Sequence, residues 1–229
     1  GAYDSWFIPL ERLPKPQKKP LRNSVMLSQS GAFMITRLSQ NPWLDPAYML
    51  ALGNQTDLTH GDMLGYFAAL PGIETLGIYI EGFKDLDGLA FAKAVRKAVL
   101  NGKQIVVYKS GRTAPGQGGV MGHTASIAGG LTLFESVVRH AGAIVAEDFN
   151  SFDDLFYIAG VLQDKKIGGR RIGAISGAGF EAVGMADNIE SDSFALEMGA
   201  LEDATVKKVE EILVAKKLDQ LVDLVGEIV

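Results

Sequence analysis

The feature that most constrains this chain is an alternation of two kinds of segment. Short apolar runs of strand length recur, and each gives way to a stretch with helical spacing. Ser24–Ser28, Ala47–Leu52, Leu76–Ile80, Gln104–Tyr108 and Ala143–Ala146 read as strands. Phe33–Asn41, Asp62–Leu70, Leu86–Leu100, Thr132–His140 and Phe152–Leu162 read as helices. In Leu86–Leu100, the residues Leu89, Ala92, Val95 and Val99 fall at helical spacing, and Gly102 stops the run. The strands are continuously apolar, so the sheet must be covered on both faces. Strands that alternate with helices run parallel. The expected fold is α/β with a parallel sheet.

Composition supports such a core and removes several function classes. The chain has 229 residues, 47 % of them apolar and 21 % charged, with a net charge of −5. That length suits one large domain or two small ones. Lysine and arginine are dispersed, so neither a nucleic-acid face nor a polybasic membrane patch is expected. No cysteine is present, which excludes disulfides and thiolate zinc sites. The lack of cysteine is compatible with a reducing cytoplasm, which is the expected location; no apolar run has the length of a membrane span, and the first residues show no signal-peptide pattern.

The ends read differently from the middle. Residues 1–23 carry Pro9, Pro14, Pro16 and Pro20 among lysines, and read as an extended lead-in. Gln163–Arg171 is charged and contains glycine, so a boundary is placed there, with a first domain over 24–165 and a second from 170 to 229. The second opens with a strand at Arg171–Ile175 and a helix at Glu181–Ile189. A further βα pattern follows in Ser193–Glu197, and Ala204–Lys216 is amphipathic. It has too few strands for a finished sheet, so we expect the chain to be part of a larger protein.

Lys109–Gly130 holds seven of the 27 glycines and His123. Glycine lets backbone N–H groups approach a ligand closely. We read the stretch as a loop, with Thr124, Ala125 and Ser126 opening a helix after it. A histidine there could be a base, a metal ligand or a phosphoryl acceptor, or simply a solvated side chain. Lys109 and Arg112 flank it and could meet an anion or only water. No His and carboxylate cluster has metal-ligand spacing, so no metal is expected. His60 and His140 read as structural or exposed. Asn54 and Asp57 read as turn formers.

One internal repeat stands out. MLSQSGAF (Met26–Phe33) and AISGAGF (Ala174–Phe180) share the order strand, Ser, Gly, Ala, Phe, helix. Each sets a helix start, with unpaired N–H donors and about half a positive charge, at the carboxyl end of a strand. Two such starts could hold one anion between them.

LSQSGAF, YIEGF, KSGRT, GHTASIAGG and ISGAGF, in this order, resemble the NDP-forming acyl-CoA synthetases, relatives of succinyl-CoA synthetase. The likeness runs from about Val25 onward. It implies a flavodoxin-like parallel sheet followed by a second, partial flavodoxin-like unit. It implies that His123 is phosphorylated and dephosphorylated in each cycle, and that Glu81 of YIEG holds its imidazole. Ser28, Ser30 and Gly31 match one phosphate-binding helix start, with Gly122 and Thr124 beside the histidine. Gly177, Ala178 and Gly179 match the other helix start.

The implied reaction interconverts acyl-CoA, ADP and phosphate with carboxylate, CoA and ATP. The implied partners are a CoA-binding domain and an ATP-grasp domain or subunit in an oligomer. ATP or ADP with magnesium, CoA and a small carboxylic acid are substrates, and no cofactor is tightly bound. The alternative is a non-catalytic module of this architecture, similar to the pseudo-synthetase half of some protein acetyltransferases.

Overall fold

A computed structural model describes residues 22–84, 86–124, 130–163, 165–174, 176, 178–189 and 195–215, with Met121–Thr124, Leu213 and Ala215 described by their backbone alone. The chain divides into two compact units, the first ending at Lys165 and the second beginning at Lys166.

The first unit is built on β1 (Ser24–Ser28), β2 (Tyr48–Ala51), β3 (Thr75–Ile80), β4 (Gln104–Lys109) and β5 (Ile144–Val145). They form one five-stranded sheet in the order β2-β1-β3-β4-β5, and every pairing is parallel. This is the flavodoxin-like arrangement. Among the described residues six α-helices accompany it: α1 (Gly31–Gln40), α2 (His60–Ala68), α3 (Asp87–Leu100), α4 (Ala114–Thr124), α5 (Leu131–Ala141) and α6 (Phe149–Leu162).

Alternation along the strands assigns each residue to one of two cores. Val25, Leu27, Ile78, Ile80, Ile105 and Val107 pack with residues of α2, α3 and α5. Met26, Tyr79, Val106 and Tyr108 pack with residues of α1 and α6. Both faces are thus dry, which is why the strand runs are apolar throughout. At Gly77 the fit is so close that a Cβ would lie 2.7 Å from the Phe156 ring.

Helix starts are fixed by local chemistry. The Ser30 hydroxyl accepts the Phe33 N–H at 3.2 Å at the head of α1. Thr59 and Asp62 form a capping box on α2, and Asp148 and Ser151 form one on α6. The box places the start of α6 at Phe149, three residues ahead of the expected Phe152. Helix α1 is also tied to α6, where Asp153 Oδ2 accepts from Arg37 at 3.3 Å and from Asn41 at 2.7 Å.

The stretch after β4 departs from expectation. Four of its seven glycines, Gly116, Gly118, Gly119 and Gly122, lie within α4 rather than in a loop, and His123 and Thr124 are the last described residues of that helix rather than preceding one. The physical reason is a start signal stronger than the glycine penalty. Thr113 Oγ1 accepts the Gly116 N–H at 3.2 Å, the Gln117 N–H bonds the Thr113 carbonyl at 2.8 Å, and Pro115 sits in the first turn, where its missing N–H costs nothing. Val120 then buries one face of the helix.

The second unit has a two-stranded parallel sheet of β6 (Arg171–Ile172) and β7 (Glu197–Met198), with α7 (Gly179–Asp187) and α8 (Asp203–Ala215).

Candidate active site

In the order β2-β1-β3-β4-β5 successive strands are added on one side of β1 and then on the other, so the winding reverses between β1 and β3, and α/β sheets bind ligands in the crevice at the carboxyl ends there. Three segments reach that place: Ser28–Gly31 after β1, Glu81–Gly82 after β3, and Lys109–Ser110 at the end of β4.

After β1, the Ser28 hydroxyl donates to the Ser30 carbonyl at 2.7 Å and accepts the Ser30 N–H at 3.0 Å. With Ser30 capping Phe33, both hydroxyls are occupied in shaping the turn. Among the described residues the N–H groups of Gly31 and Ala32 have no acceptor at the head of α1, in keeping with the geometry of a helix start.

The repeat in the second unit reproduces this turn. Ser176 Oγ accepts the Ala178 N–H at 3.1 Å and donates to the Ala178 carbonyl at 3.2 Å, ahead of α7. Ala178 is the cap and Gly179 the first helical residue. Gly177 lies outside the described residues.

Glu81 is 8 % exposed. The Tyr79 hydroxyl donates to its Oε1 at 3.3 Å. Burial pushes the Tyr79 phenol up to about 12, so it stays a donor at neutral pH; the Ser110 hydroxyl opposes the shift and the Glu81 charge adds to it. Lys109 is turned inward, and its ammonium donates to the carbonyls of Glu81 at 3.1 Å and Ser110 at 3.2 Å. Burial lowers its pKa, and Glu81 opposes the shift. Arg112 pairs with Glu135 at 2.7 Å and lies over the Tyr108 ring. The sequence left both cations open between an anion and water, and the fold engages each with a protein group.

His123 is on the last turn of α4. Its side chain and that of Thr124 lie outside what the structure describes.

Three residues that sequence reasoning left aside complete the site. Gln29 Oε1 accepts the N–H groups of Glu81 at 2.8 Å and Gly82 at 3.1 Å. Gln55 donates its amide to the Gly82 carbonyl at 3.0 Å. Gln55 Oε1 in turn accepts from the His60 backbone at 3.0 Å and from the His60 ring Nδ1 at 2.8 Å. The only visible signal was position, since Gln29 and Gln55 both follow strands. His60 is buried, and His140 is exposed at the end of α5.

The His60 ring is fully buried, and burial lowers its pKa to about 4, with the Tyr79 backbone opposing. The unfolded chain takes up a proton near pH 6.5 that the native chain refuses. Stability from this group is therefore full above pH 6.5 and is lost as pH falls toward 4, by roughly 3 kcal/mol. Asp153, raised by burial to about 6 against Arg37, works in the opposite direction over part of that range. His60→Asn keeps a donor for Gln55 but does not titrate. In urea unfolding at pH 7 and pH 4.5, wild type should lose clearly more stability between the two than His60→Asn. Equal losses would contradict the buried neutral imidazole.

Residues 22–161 match the succinyl-CoA ligase-like flavodoxin domain. The chain is 30 % identical over 205 residues to an ADP-forming acetate–CoA ligase of Methanocaldococcus jannaschii, covering 88 % of this chain and 28 % of that enzyme. It is 28 % identical to the alpha subunit of ADP-forming acetate–CoA ligase II of Pyrococcus furiosus, covering 83 % of this chain and 40 % of that subunit. A solved acetyl-coenzyme A synthetase from Ca. Korarchaeum cryptofilum, in complex with phosphate and ADP, superposes with a TM-score of 0.64 at 26 % identity, covering 86 % of this chain and 42 % of that one. The chain thus spans well under half the length of these relatives. Among the described residues no helix is long and apolar enough to cross a membrane. With the domain match, the parallel sheet and these relatives in agreement, the chain belongs to the NDP-forming acyl-CoA synthetase family.

Proposed function

We propose that this chain carries the phosphohistidine step of an ADP-forming acyl-CoA synthetase, with His123 as the phosphorylated residue. The supporting observation is the burial of Glu81 at the switch point of the sheet. A carboxylate kept there is suited to accept the Nδ1–H of an imidazole and leave Nε2 as the nucleophile. Nε2 attacks the phosphorus of an acyl phosphate, the N–P bond forms, and the P–O bond to the acyl oxygen breaks. The carboxylate leaves with the electron pair. The Nδ1 proton stays, and the positive charge on the ring is offset by Glu81. Little else is asked of the protein, because phosphoryl transfer is mainly a matter of positioning and charge. The Gly31 and Ala32 N–H groups are donors for phosphate oxygens, with Gly122 and Thr124 beside the histidine. The Gly177–Gly179 turn offers a second helix start of the same design. The reaction then calls on CoA-binding and ATP-grasp regions for CoA and for ADP with magnesium. A subunit-alpha relative and a relative bound to phosphate and ADP support that division.

The test is phosphorylation from acetyl phosphate, or from ATP and magnesium with an ATP-grasp partner. The protein should acquire phosphate that is acid-labile and base-stable. No phosphate from either donor would favour a non-catalytic module of the same fold. Glu81→Gln keeps an acceptor but removes the charge, and should slow phosphorylation by about a hundredfold with the fold intact. An unchanged rate in rapid-quench kinetics would make Glu81 a structural carboxylate.

A further inference from the structure

The Glu81–Gly82 turn is held in an unusual way. Its four backbone polar groups all bond to side chains. The two N–H groups donate to Gln29 Oε1, the Glu81 carbonyl accepts from Lys109, and the Gly82 carbonyl accepts from Gln55. These side chains come from three separate segments, and Gln29, Gln55 and Lys109 are 6 %, 3 % and 2 % exposed. A turn at a strand end normally satisfies such groups with backbone partners or water. Burying three long polar side chains for the purpose costs desolvation and rotamer entropy.

We propose that Gln29 and Gln55 are positioning residues that clamp the Glu81–Gly82 turn from both sides and so fix where the Glu81 carboxylate is aimed. The proposal rests on the phosphohistidine reading, because it gives Glu81 a partner to be aimed at.

Each glutamine has its amide orientation locked. Gln29 Oε1 faces two donors, so no other orientation satisfies that turn. Gln55 Oε1 faces the His60 N–H and, with His60 neutral, the Nδ1–H; this sends its NH2 toward Gly82. Gln55 itself holds a positive φ of 53°, a left-handed conformation that a residue with a side chain adopts at a cost. Gln29 also ties the two parts of the candidate site together. Its backbone N–H bonds the Tyr79 carbonyl at 3.1 Å, and it lies between Ser28 and Ser30 at the head of α1. A shift of the phosphate-binding helix start would therefore carry the Glu81 turn with it.

Methionine is close in shape to glutamine and removes the hydrogen bonds. The test uses Gln29→Met and Gln55→Met, each alone and combined with Glu81→Gln, with two readouts. The first is amide hydrogen exchange of Glu81 and Gly82 without any phosphoryl donor. We expect at least tenfold faster exchange at those amides in Gln29→Met, and a smaller change in Gln55→Met. The second is the rate of phosphorylation from acetyl phosphate. Each single variant should lose about tenfold in kcat with little change in KM. In the Glu81→Gln background the same substitution should cost less than twofold, since its effect passes through the carboxylate. An equal loss in both backgrounds, or unchanged exchange, overturns the clamp as a positioning device. If Glu81→Gln alone phosphorylates at full rate, the reading of Glu81 fails. Faster exchange would then show a merely structural clamp, and the proposal falls with that reading. Should Gln29→Met fail to fold, Gln55→Met, on a different segment, supplies the kinetic test.

Discussion

His123→Asn should abolish phosphorylation of the protein while leaving it folded. An asparagine amide resembles part of an imidazole in shape, but its nitrogen lone pair is delocalised and does not attack phosphorus. The substitution lies on the last turn of α4, where the propensity difference between His and Asn is a few tenths of a kcal/mol. Melting should shift by no more than about 3 °C. The loss should be complete because the other two histidines are poor substitutes. The His60 ring is fully buried and bonded to Gln55. His140 is exposed at the far end of α5, where it follows Arg139 in the last turn. Acid-labile phosphate persisting in His123→Asn would refute the assignment.

The second large effect is on stability. Phe91→Ala should cost about 3–5 kcal/mol, a large share of the 5–15 kcal/mol that holds a typical domain together. Phe91 is fully buried on the inner face of α3. Its ring lies 5.4 Å from Phe83 and 6.5 Å from Phe134, and the His60 ring meets it edge-on at 6.5 Å. Phe83 directly follows the Glu81–Gly82 turn, so the cavity would open beneath the candidate site. A urea midpoint lowered by less than 1 kcal/mol equivalent would mean that α3 can collapse onto the sheet.

The strands were legible because their apolar runs need nothing beyond local sequence. Met26 and Leu27, or Val106 and Val107, face opposite cores, and both faces being dry made the pattern continuous. The repeat was legible too, since the Ser28 and Ser176 hydroxyls bond within two residues of themselves. The α4 segment was misread for a local reason. Glycine density argues for a loop, whereas Thr113 and Pro115 together form an ordinary helix start that outweighs it. Gln29 and Gln55 could not be read, because what they do depends on partners 52 and 27 residues away. The same holds for Arg112, whose partner Glu135 is on another helix. Charge beside a glycine segment suggests an anion site, and only the fold shows which cations are already paired.

The central claim is tested most directly by locating the phosphoryl group atom by atom. With only three histidines in the chain, protein labelled with nitrogen-15 at histidine gives a simple spectrum. After reaction with acetyl phosphate, nitrogen–phosphorus coupling in the NMR spectrum identifies the bonded nitrogen. The account predicts one phosphohistidine, at His123, bonded through Nε2 with Nδ1 still protonated and facing Glu81. Phosphate on Nδ1 of that ring, on His60 or His140, or on a serine or threonine hydroxyl would contradict it.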